Sequence, residues 1–261
     1  MKIGLSSAVF YPYVDTEDSL EIINSLGFEC AEIFLNSFSE YSDDFIDKLI
    51  QEKNNYNISI NSVHAFSSSF EPYIFDAYRR RRKDMIESFK KVCKAGSRLG
   101  AMCYTFHGMR YQDMATINKK LIIDIYNELT YIALENGIKL AQENVSWCMS
   151  QSLDFLKFLK ENCKYDLFFT FDIKQAYRAN TEPYRYIDIM GEKLINFHIN
   201  DRSKEETCLL PGKGEVNYLD IISLLKENNY CGNGIVEIYR ENYTSYDELK
   251  ECKKKLEKFL K

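Results

Sequence analysis

Six residues that can bind a metal or transfer a proton each stand at, or just after, the end of a short run of strand-forming residues. In chain order they are His64, His107, Glu143, Asp172, His198 and Glu237. All three histidines of the 261-residue chain belong to this set, so every histidine follows a run of strand-forming residues. This repetition indicates that the six side chains meet at one site.

Four of the six residues form a candidate ligand set for a metal. They are Glu143, Asp172, His198 and Glu237. Three carboxylates and one imidazole suit a divalent ion such as Mn²⁺, Mg²⁺, Co²⁺ or Zn²⁺. Carboxylates buried against one another repel unless a cation or shared protons compensate. Taken singly, each residue could instead be a hydrogen-bonded core histidine, a helix cap or the partner of an arginine.

Eight runs of strand-forming residues, separated by longer amphipathic or charged segments, determine where these side chains lie. The predicted strands are residues 2–7, 30–35, 58–63, 102–106, 138–143, 167–172, 194–199 and 234–239. Two of the predicted helices end at glycines: residues 17–27 at Gly27, and residues 218–232 at Gly232. Strands that alternate with crossover helices predict a parallel sheet.

The number of these units predicts a single (β/α)8 TIM barrel, an α/β fold, because eight strand-helix units fit a chain of 261 residues. No linker or low-complexity segment interrupts them, so we expect one domain over residues 1–261. An open doubly wound sheet would compete with the barrel, but no Gly-x-Gly-x-x-Gly follows the first strand. In a barrel, the carboxyl ends of the strands surround the active-site mouth, where all six residues would converge.

The order of the motifs at these strand ends resembles one superfamily. The motifs are SVHAF, TFHG, AQENV, TFDIKQA, FHINDRS, LPGKGEVNY and IVEIYR. They are similar to those of the xylose isomerase-like (β/α)8 superfamily, which includes sugar epimerases and isomerases, inosose dehydratases and endonuclease IV. The resemblance covers essentially the whole chain.

Within that superfamily, the resemblance to the ketose 3-epimerase branch implies specific roles. Glu143, Asp172, His198 and Glu237 would hold one divalent ion, and Glu143 and Glu237 would also act as the acid/base pair. A cation that binds a substrate carbonyl and its neighbouring hydroxyl acidifies the adjacent C–H. The leading hypothesis is therefore a metal-dependent sugar or sugar-phosphate isomerase or epimerase of carbohydrate metabolism that transfers a proton through an enediolate.

His64 and His107 separate this hypothesis from a hydrolytic one. In the epimerase branch they would contact the substrate, whereas in the endonuclease IV branch the matching histidines bind a second metal together with the residue at Glu143. Gln175 replaces the histidine that the nuclease has three residues after Asp172, which disfavours a phosphodiesterase. The same strand-end residues would also suit an inosose-type dehydratase or a non-catalytic sugar-binding barrel.

Three further polar residues are predicted to contact the substrate. Gln175 can donate and accept hydrogen bonds but binds metals poorly. Arg202, four residues after His198, could bind a hydroxyl, carboxylate or phosphate, or instead pair with Asp201. Lys213 lies in a Gly-Lys-Gly loop after the seventh strand, near where barrels often bind phosphate, although the same loop could be a solvated turn.

The composition favours a small-molecule partner, a sugar or sugar phosphate, over nucleic acid or a membrane. The formal net charge of −5 provides no general attraction to polyanions. The basic run at residues 79–83 opens a predicted helix, so its side chains surround the helix instead of forming one stripe. No apolar run reaches the roughly 18 residues that a membrane span needs.

The eight cysteines include no Cys-x-x-Cys pair, which fits a cytoplasmic location. The sequence leaves open whether copies of the chain form a homo-oligomer.

Overall fold

Eight parallel strands close into a barrel in a computed structural model of the chain, which describes residues 1–260. The strands are β1 (Ile3–Ser6), β2 (Cys30–Leu35), β3 (Ser59–Ala65), β4 (Cys103–Phe106), β5 (Lys139–Glu143), β6 (Phe168–Asp172), β7 (Leu194–Ile199) and β8 (Gly234–Val236). Each strand pairs in parallel with its neighbours in sequence, and β8 pairs with β1. The predicted (β/α)8 TIM barrel is confirmed, and no open sheet is present among the described residues.

Helices connect the strands and cover the outside of the barrel. They are α1 (Ser19–Ser25), α2 (Asp43–Asn55), α3 (Arg79–Leu99), α4 (Lys119–Glu135), α5 (Leu153–Asn162), α6 (Ile173–Arg178), α7 (Pro183–Met190), α8 (Tyr218–Glu227) and α9 (Tyr246–Phe259). Several begin at a side-chain cap that accepts a backbone N–H, as Ser42 does for α2 and Ser152 for α5. Apolar faces of the helices pack against the barrel and form one hydrophobic core with it.

The predicted end of α8 is wrong by five residues. The helix ends at Glu227, and the turn that follows uses Asn229, whose φ of 58° lies in the left-handed region. Asparagine tolerates this conformation better than most residues, so Gly232 is not needed as the terminator. Gly27 follows α1 with a φ of 80°, as expected of a residue beyond a helix end.

A polar network lies inside the barrel and is centred on Glu32 of β2. The Glu32 carboxylate is fully buried and accepts hydrogen bonds from Ser6, Ser62 and Thr105 at 2.7 to 3.3 Å. Asn196 also donates to it at 3.3 Å. A register shift between β2 and β3 occurs beside Glu32, where such irregularities can redirect a side chain. The network extends to His198 of β7, whose Nε2 lies 3.0 Å from Glu32 Oε2.

The basic run at residues 79–83 lies at the surface, whereas most of the cysteines are buried. The basic run at residues 79–83 opens α3, and Arg81 pairs with Asp76 at 2.5 Å. All eight cysteines are free. Among the described residues, no helix is both long and apolar enough to cross a membrane.

Candidate active site

The carboxyl ends of four consecutive strands bring the predicted metal ligands together. We call Glu143, Asp172, His198 and Glu237 the four-ligand cluster. One ligand atom from each lies within 4.8 Å of those of the other three. Glu143 and Asp172 are the last residues of β5 and β6, His198 lies in β7, and Glu237 directly follows β8. Glu237 is the most accessible member, with 13% of its side chain exposed.

His198 lies at the centre of this cluster. Its Nδ1 atom is 3.2 Å from Glu237 Oε2, 3.6 Å from Asp172 Oδ2 and 3.7 Å from Glu143 Oε1. On the other side of the ring, Nε2 lies 3.0 Å from Glu32 Oε2. A carboxylate can only accept, so Nε2 carries a proton and donates to Glu32.

The donor atoms fit a divalent ion. His198 Nδ1 is buried without a hydrogen-bond partner, although three carboxylate oxygens lie nearby. When Nδ1 gives up its proton and Nε2 keeps its own, the ring presents the Nδ1 lone pair to the same point as those oxygens. Metal-binding histidines commonly have their other nitrogen bound to a carboxylate in this way. Mixed oxygen and nitrogen ligands suit Mn²⁺, Co²⁺ and Zn²⁺, and several carboxylates also suit Mg²⁺.

A second group of donor atoms shares Glu143 with the first. We call His64, His107 and Glu143 the histidine cluster, and its ligand atoms also lie within 4.8 Å of one another. The Nε2 atoms of the two histidines are 2.9 Å apart, and Glu143 Oε2 lies 2.9 Å from His107 Nε2 and 3.6 Å from His64 Nε2. Glu143 Oε1 faces His198 instead. Glu143 therefore bridges the two clusters with its two oxygens.

Hydrogen bonds on the outer side orient both histidines. His64 Nδ1 donates to the Ala65 carbonyl at 2.7 Å, which leaves Nε2 directed at the cluster. His107 Nδ1 is 2.6 Å from the Ser67 hydroxyl. The Trp147 ring packs edge-on against His107, with centroids 5.5 Å apart, and it remains 36% exposed at the mouth.

The carboxylates and histidines shift one another's protonation. Burial lowers the pKa of His64, but the hydrogen bond to Glu143 and the charge of Glu32 outweigh it and raise the pKa to about 9. Burial also opposes the charged form of His198, yet Glu32 and Glu237 raise its pKa well above the ordinary value. Burial alone would raise the pKa of Glu143, but His107 and the other histidines hold it well below normal. Protons on imidazoles thus balance these carboxylates in the absence of an ion.

Lys174 adds a fixed positive charge that the sequence did not lead us to predict. It is the second residue of α6 and is 4% exposed. Its ammonium group donates to Asp172 Oδ2 and to Glu237 Oε2. Burial lowers the pKa of Lys174, but these two carboxylates raise it well above the usual range. The same ammonium helps hold the pKa of Glu237 well below normal, against the effect of burial.

Glu71 supports the loop that carries His107. This fully buried residue begins a short 3-10 helix (Glu71–Phe75) after β3. Its Oε2 accepts the backbone N–H groups of His107 and Gly108 at 2.8 and 2.9 Å, and Tyr104 donates to its Oε1 at 2.6 Å. Burial raises the pKa of the Glu71 carboxyl despite these donors.

The predicted substrate-contacting residues occupy different surroundings. The Gln175 side-chain oxygen accepts from the Ser146 backbone and hydroxyl at 3.0 and 2.8 Å, so its amide nitrogen is the group left for a ligand. The Arg202 guanidinium stacks on the Tyr177 ring at 3.9 Å, and its buried Nε has no partner. It does not pair with Asp201, whose carboxylate instead accepts backbone N–H groups of the following loop.

Lys213 is not brought into either cluster. Its ammonium pairs with Glu248 of α9 at 2.6 Å, and 42% of its side chain is exposed. Its contact with a substrate phosphate therefore stays a prediction, as do the roles of Gln175 and Arg202.

A family description named "Xylose isomerase-like TIM barrel" matches residues 20–261. The chain belongs to this family. The resemblance seen in the strand-end motifs is thereby confirmed, and the match begins within α1 and extends to the carboxyl terminus.

Three individual relatives share 27% or fewer of their aligned residues with this chain. An uncharacterised protein of Methanocaldococcus jannaschii is 27% identical over 268 residues, covering 97% of this chain and 88% of the relative. The crystal structure of a D-tagatose 3-epimerase-like protein has a TM-score of 0.82 at 24% identity, covering 100% of this chain and 97% of that one. The structure of the IOLI protein with a bound zinc atom has a TM-score of 0.76 at 19% identity and covers 100% and 96% of the two chains. These structural likenesses establish the shared fold.

Proposed function

We propose that this protein is a divalent-metal-dependent sugar or sugar-phosphate isomerase or epimerase. The observation that carries the proposal is the environment of His198 Nδ1, which is buried, unpartnered and within 3.7 Å of oxygens from three carboxylates. Glu143, Asp172, His198 and Glu237 would hold the ion. The fold shared with a D-tagatose 3-epimerase-like protein, and with the IOLI protein that binds zinc, supports this reading.

The two glutamates of the cluster would move the protons. Glu143 and Glu237 reach the site from β5 and β8, which are separated by β6 and β7, so they approach from different sides of the mouth. One glutamate removes the proton from the carbon beside the substrate carbonyl, and the other returns a proton to the opposite face of the resulting enediolate. A bound divalent ion would supply Lewis acidity to the carbonyl oxygen.

Other residues at the mouth would orient the sugar. His64 and His107 present ring nitrogens beside Glu143, and the free amide nitrogen of Gln175 lies one helical turn from Asp172. Arg202 would bind a hydroxyl or an anionic group, since its guanidinium is the partly buried cation with an unpartnered Nε. Lys213 would take part only after leaving Glu248.

Metal-dependent phosphodiester hydrolysis is a second candidate, and one observation favours it. The two oxygens of Glu143 face different clusters, which is the arrangement of a carboxylate that bridges two metals. Such an enzyme would hold a second ion at His64, His107 and Glu143. The acid/base pair of an epimerase needs only the first ion.

Metal content and two isosteric variants test the proposal together. Elemental analysis of the purified protein should give one tightly bound ion per chain, whereas two would favour hydrolysis. In a screen of ketoses, their phosphates and inososes, Glu143→Gln and Glu237→Gln should lose turnover while keeping the circular dichroism spectrum of the wild type. Glu192→Gln, an exposed glutamate before β7, is the matched control and should retain turnover. Near-normal activity in both site variants would overturn the mechanism, and loss of water from an inosose would identify a dehydratase.

A further inference from the structure

Lys174 places an ammonium group where a bound cation would have to make its contacts. Its Nζ donates to Asp172 Oδ2 and Glu237 Oε2, and the side chain is only 4% exposed. These are the same two oxygen atoms that face His198 Nδ1 at 3.6 and 3.2 Å. The ammonium and a divalent ion therefore require two oxygens in common.

The two cations cannot share those oxygens without strong repulsion. A divalent ion bound to a carboxylate lies about 2.0 to 2.5 Å from its oxygen, so it would lie within a few ångströms of Nζ. Charges of like sign at such separations repel strongly inside a protein, where water screens them poorly. Each cation therefore weakens the binding of the other at these two oxygens.

We propose that Lys174 is a tethered counter-cation that competes with the divalent ion for Asp172 and Glu237. In the metal-free protein the ammonium stabilises carboxylates that would otherwise lie buried and uncompensated. When an ion binds, the ammonium withdraws from both oxygens. This inference rests on the metal site of the proposed function and adds a residue of this chain that sets the affinity of that site.

The structure offers the displaced ammonium a second position. Nζ lies 6.0 Å from the centroid of the Tyr239 ring, which is 40% exposed at the mouth. Arg178 donates to the Tyr239 hydroxyl at 2.7 Å and so restrains the ring. The face of a tyrosine ring attracts an ammonium group. The Arg178 guanidinium also lies 5.4 Å from this centroid, so the displaced ammonium would share the ring with it.

Calorimetric titration of chelator-treated protein with Mn²⁺ at one fixed pH tests the competition. Lys174→Met removes the charge but keeps an unbranched chain, and it should bind Mn²⁺ at least tenfold more tightly than the wild type. Lys193→Met is the matched control. Lys193 directly precedes β7, at the end of the strand far from His198, and forms an exposed ion pair with Asp166. The control should bind as the wild type does.

A second measurement uses the wild-type protein, so it does not depend on the folding of a variant. An amine-reactive ester, followed by peptide mass spectrometry, reports the exposure of each lysine. Labelling of Lys174 should rise several-fold when saturating Mn²⁺ is added, while labelling of Lys193 stays constant.

The outcomes separate this inference from the proposed function. If Lys174→Met binds Mn²⁺ no more tightly than the wild type, or if Mn²⁺ leaves the labelling of Lys174 unchanged, the competition is disproved while the metal site stands. If neither the wild type nor Lys174→Met binds Mn²⁺, the metal site itself is disproved, and the inference fails with it.

Discussion

At the scale of single residues, the chemistry of the site depends on the ring orientation of His198. Glu32 accepts a hydrogen bond from Nε2 and so directs Nδ1 at three carboxylates. Because Glu32 is itself held by several donors inside the barrel, the imidazole has little freedom to turn. We therefore expect Glu32 to influence metal binding through His198 without contacting the ion.

Replacement of Glu32 tests this coupling. Glu32→Gln keeps the shape of the side chain but weakens its hold on the Nε2 proton, so Mn²⁺ affinity should fall roughly 10-fold to 100-fold. Titration calorimetry measures the change. Ser62→Ala, which removes one donor from the same carboxylate, is the control and should have a smaller effect. Unchanged affinity in Glu32→Gln would show that the carboxylate does not orient His198.

The residues missed by sequence reasoning share one property: they act through other residues. Glu32 is the single acidic residue in the apolar run CAEIFL, and an acid in a buried strand is a sign of a polar partner inside the barrel. Lys174 follows Asp172 by two residues, but its sequence position does not reveal that its ammonium turns back onto Asp172 and Glu237. Glu71 begins a short 3-10 helix that no strand-end pattern includes.

At the scale of elements, Asp172 ends β6 and caps α6. Its Oδ1 accepts the Gln175 backbone N–H at 3.2 Å and so caps α6, while Oδ2 faces the four-ligand cluster. Asp172→Asn should keep the cap but lose most Mn²⁺ affinity, and Asp172→Ala should lose both. Urea unfolding should therefore find the alanine variant less stable than the asparagine variant by about 1 kcal/mol. Equal stability of the two variants would contradict the capping role.

The short 3-10 helix after β3 fixes the loop after β4 through Glu71. Glu71→Ala would leave two backbone N–H groups and the Tyr104 hydroxyl buried without their acceptor. Unsatisfied buried donors cost about 1 to 3 kcal/mol each, so the free energy of unfolding should fall by roughly 3 kcal/mol or more. Tyr104→Phe removes one donor and should cost about 1 kcal/mol. Denaturant unfolding measures both, and a loss no larger in Glu71→Ala than in Tyr104→Phe would contradict this role.

The elements themselves were predictable, and so were the ends of β2 and of β4 to β7, whereas the ends of β1, β3, β8 and α8 were not. All eight strands follow runs of apolar or β-branched residues, and each predicted range overlaps its observed strand. The end of α8 was misplaced because the Asn228-Asn229 pair already supplies the turn that Gly232 was expected to make. Local composition specifies the type of an element more firmly than its last residue.

At the scale of the whole molecule, closure of the barrel brings residues that are far apart in the sequence to one site. Residues from position 64 to position 237 meet at one mouth because parallel strands end together. The six strand-end residues could be found in this way from the sequence alone. Which side chains point inward, and which nitrogen of each histidine faces the cluster, depends on strand register and hydrogen bonding that no residue pattern encodes.

Metal binding should stabilise the whole fold. An ion that binds only the folded chain adds about 2.7 kcal/mol at 100 times its dissociation constant. For a chain of this length, differential scanning fluorimetry should then show a rise in Tm of roughly 5 to 10 °C when Mn²⁺ is added to chelator-treated protein. Asp172→Asn should show little shift, and an equal shift in that variant would place the ion elsewhere.

Deuterium transfer from solvent tests the central claim most directly. The Mn²⁺-loaded protein is incubated in D₂O with the ketose or ketose phosphate that it converts, and NMR locates the deuterium. We expect incorporation at the carbon beside the carbonyl in the wild type, and none with Glu143→Gln, Glu237→Gln or chelator-treated protein. Conversion of substrate without any deuterium at that carbon, or undiminished incorporation in both glutamate variants, would contradict proton transfer by these residues.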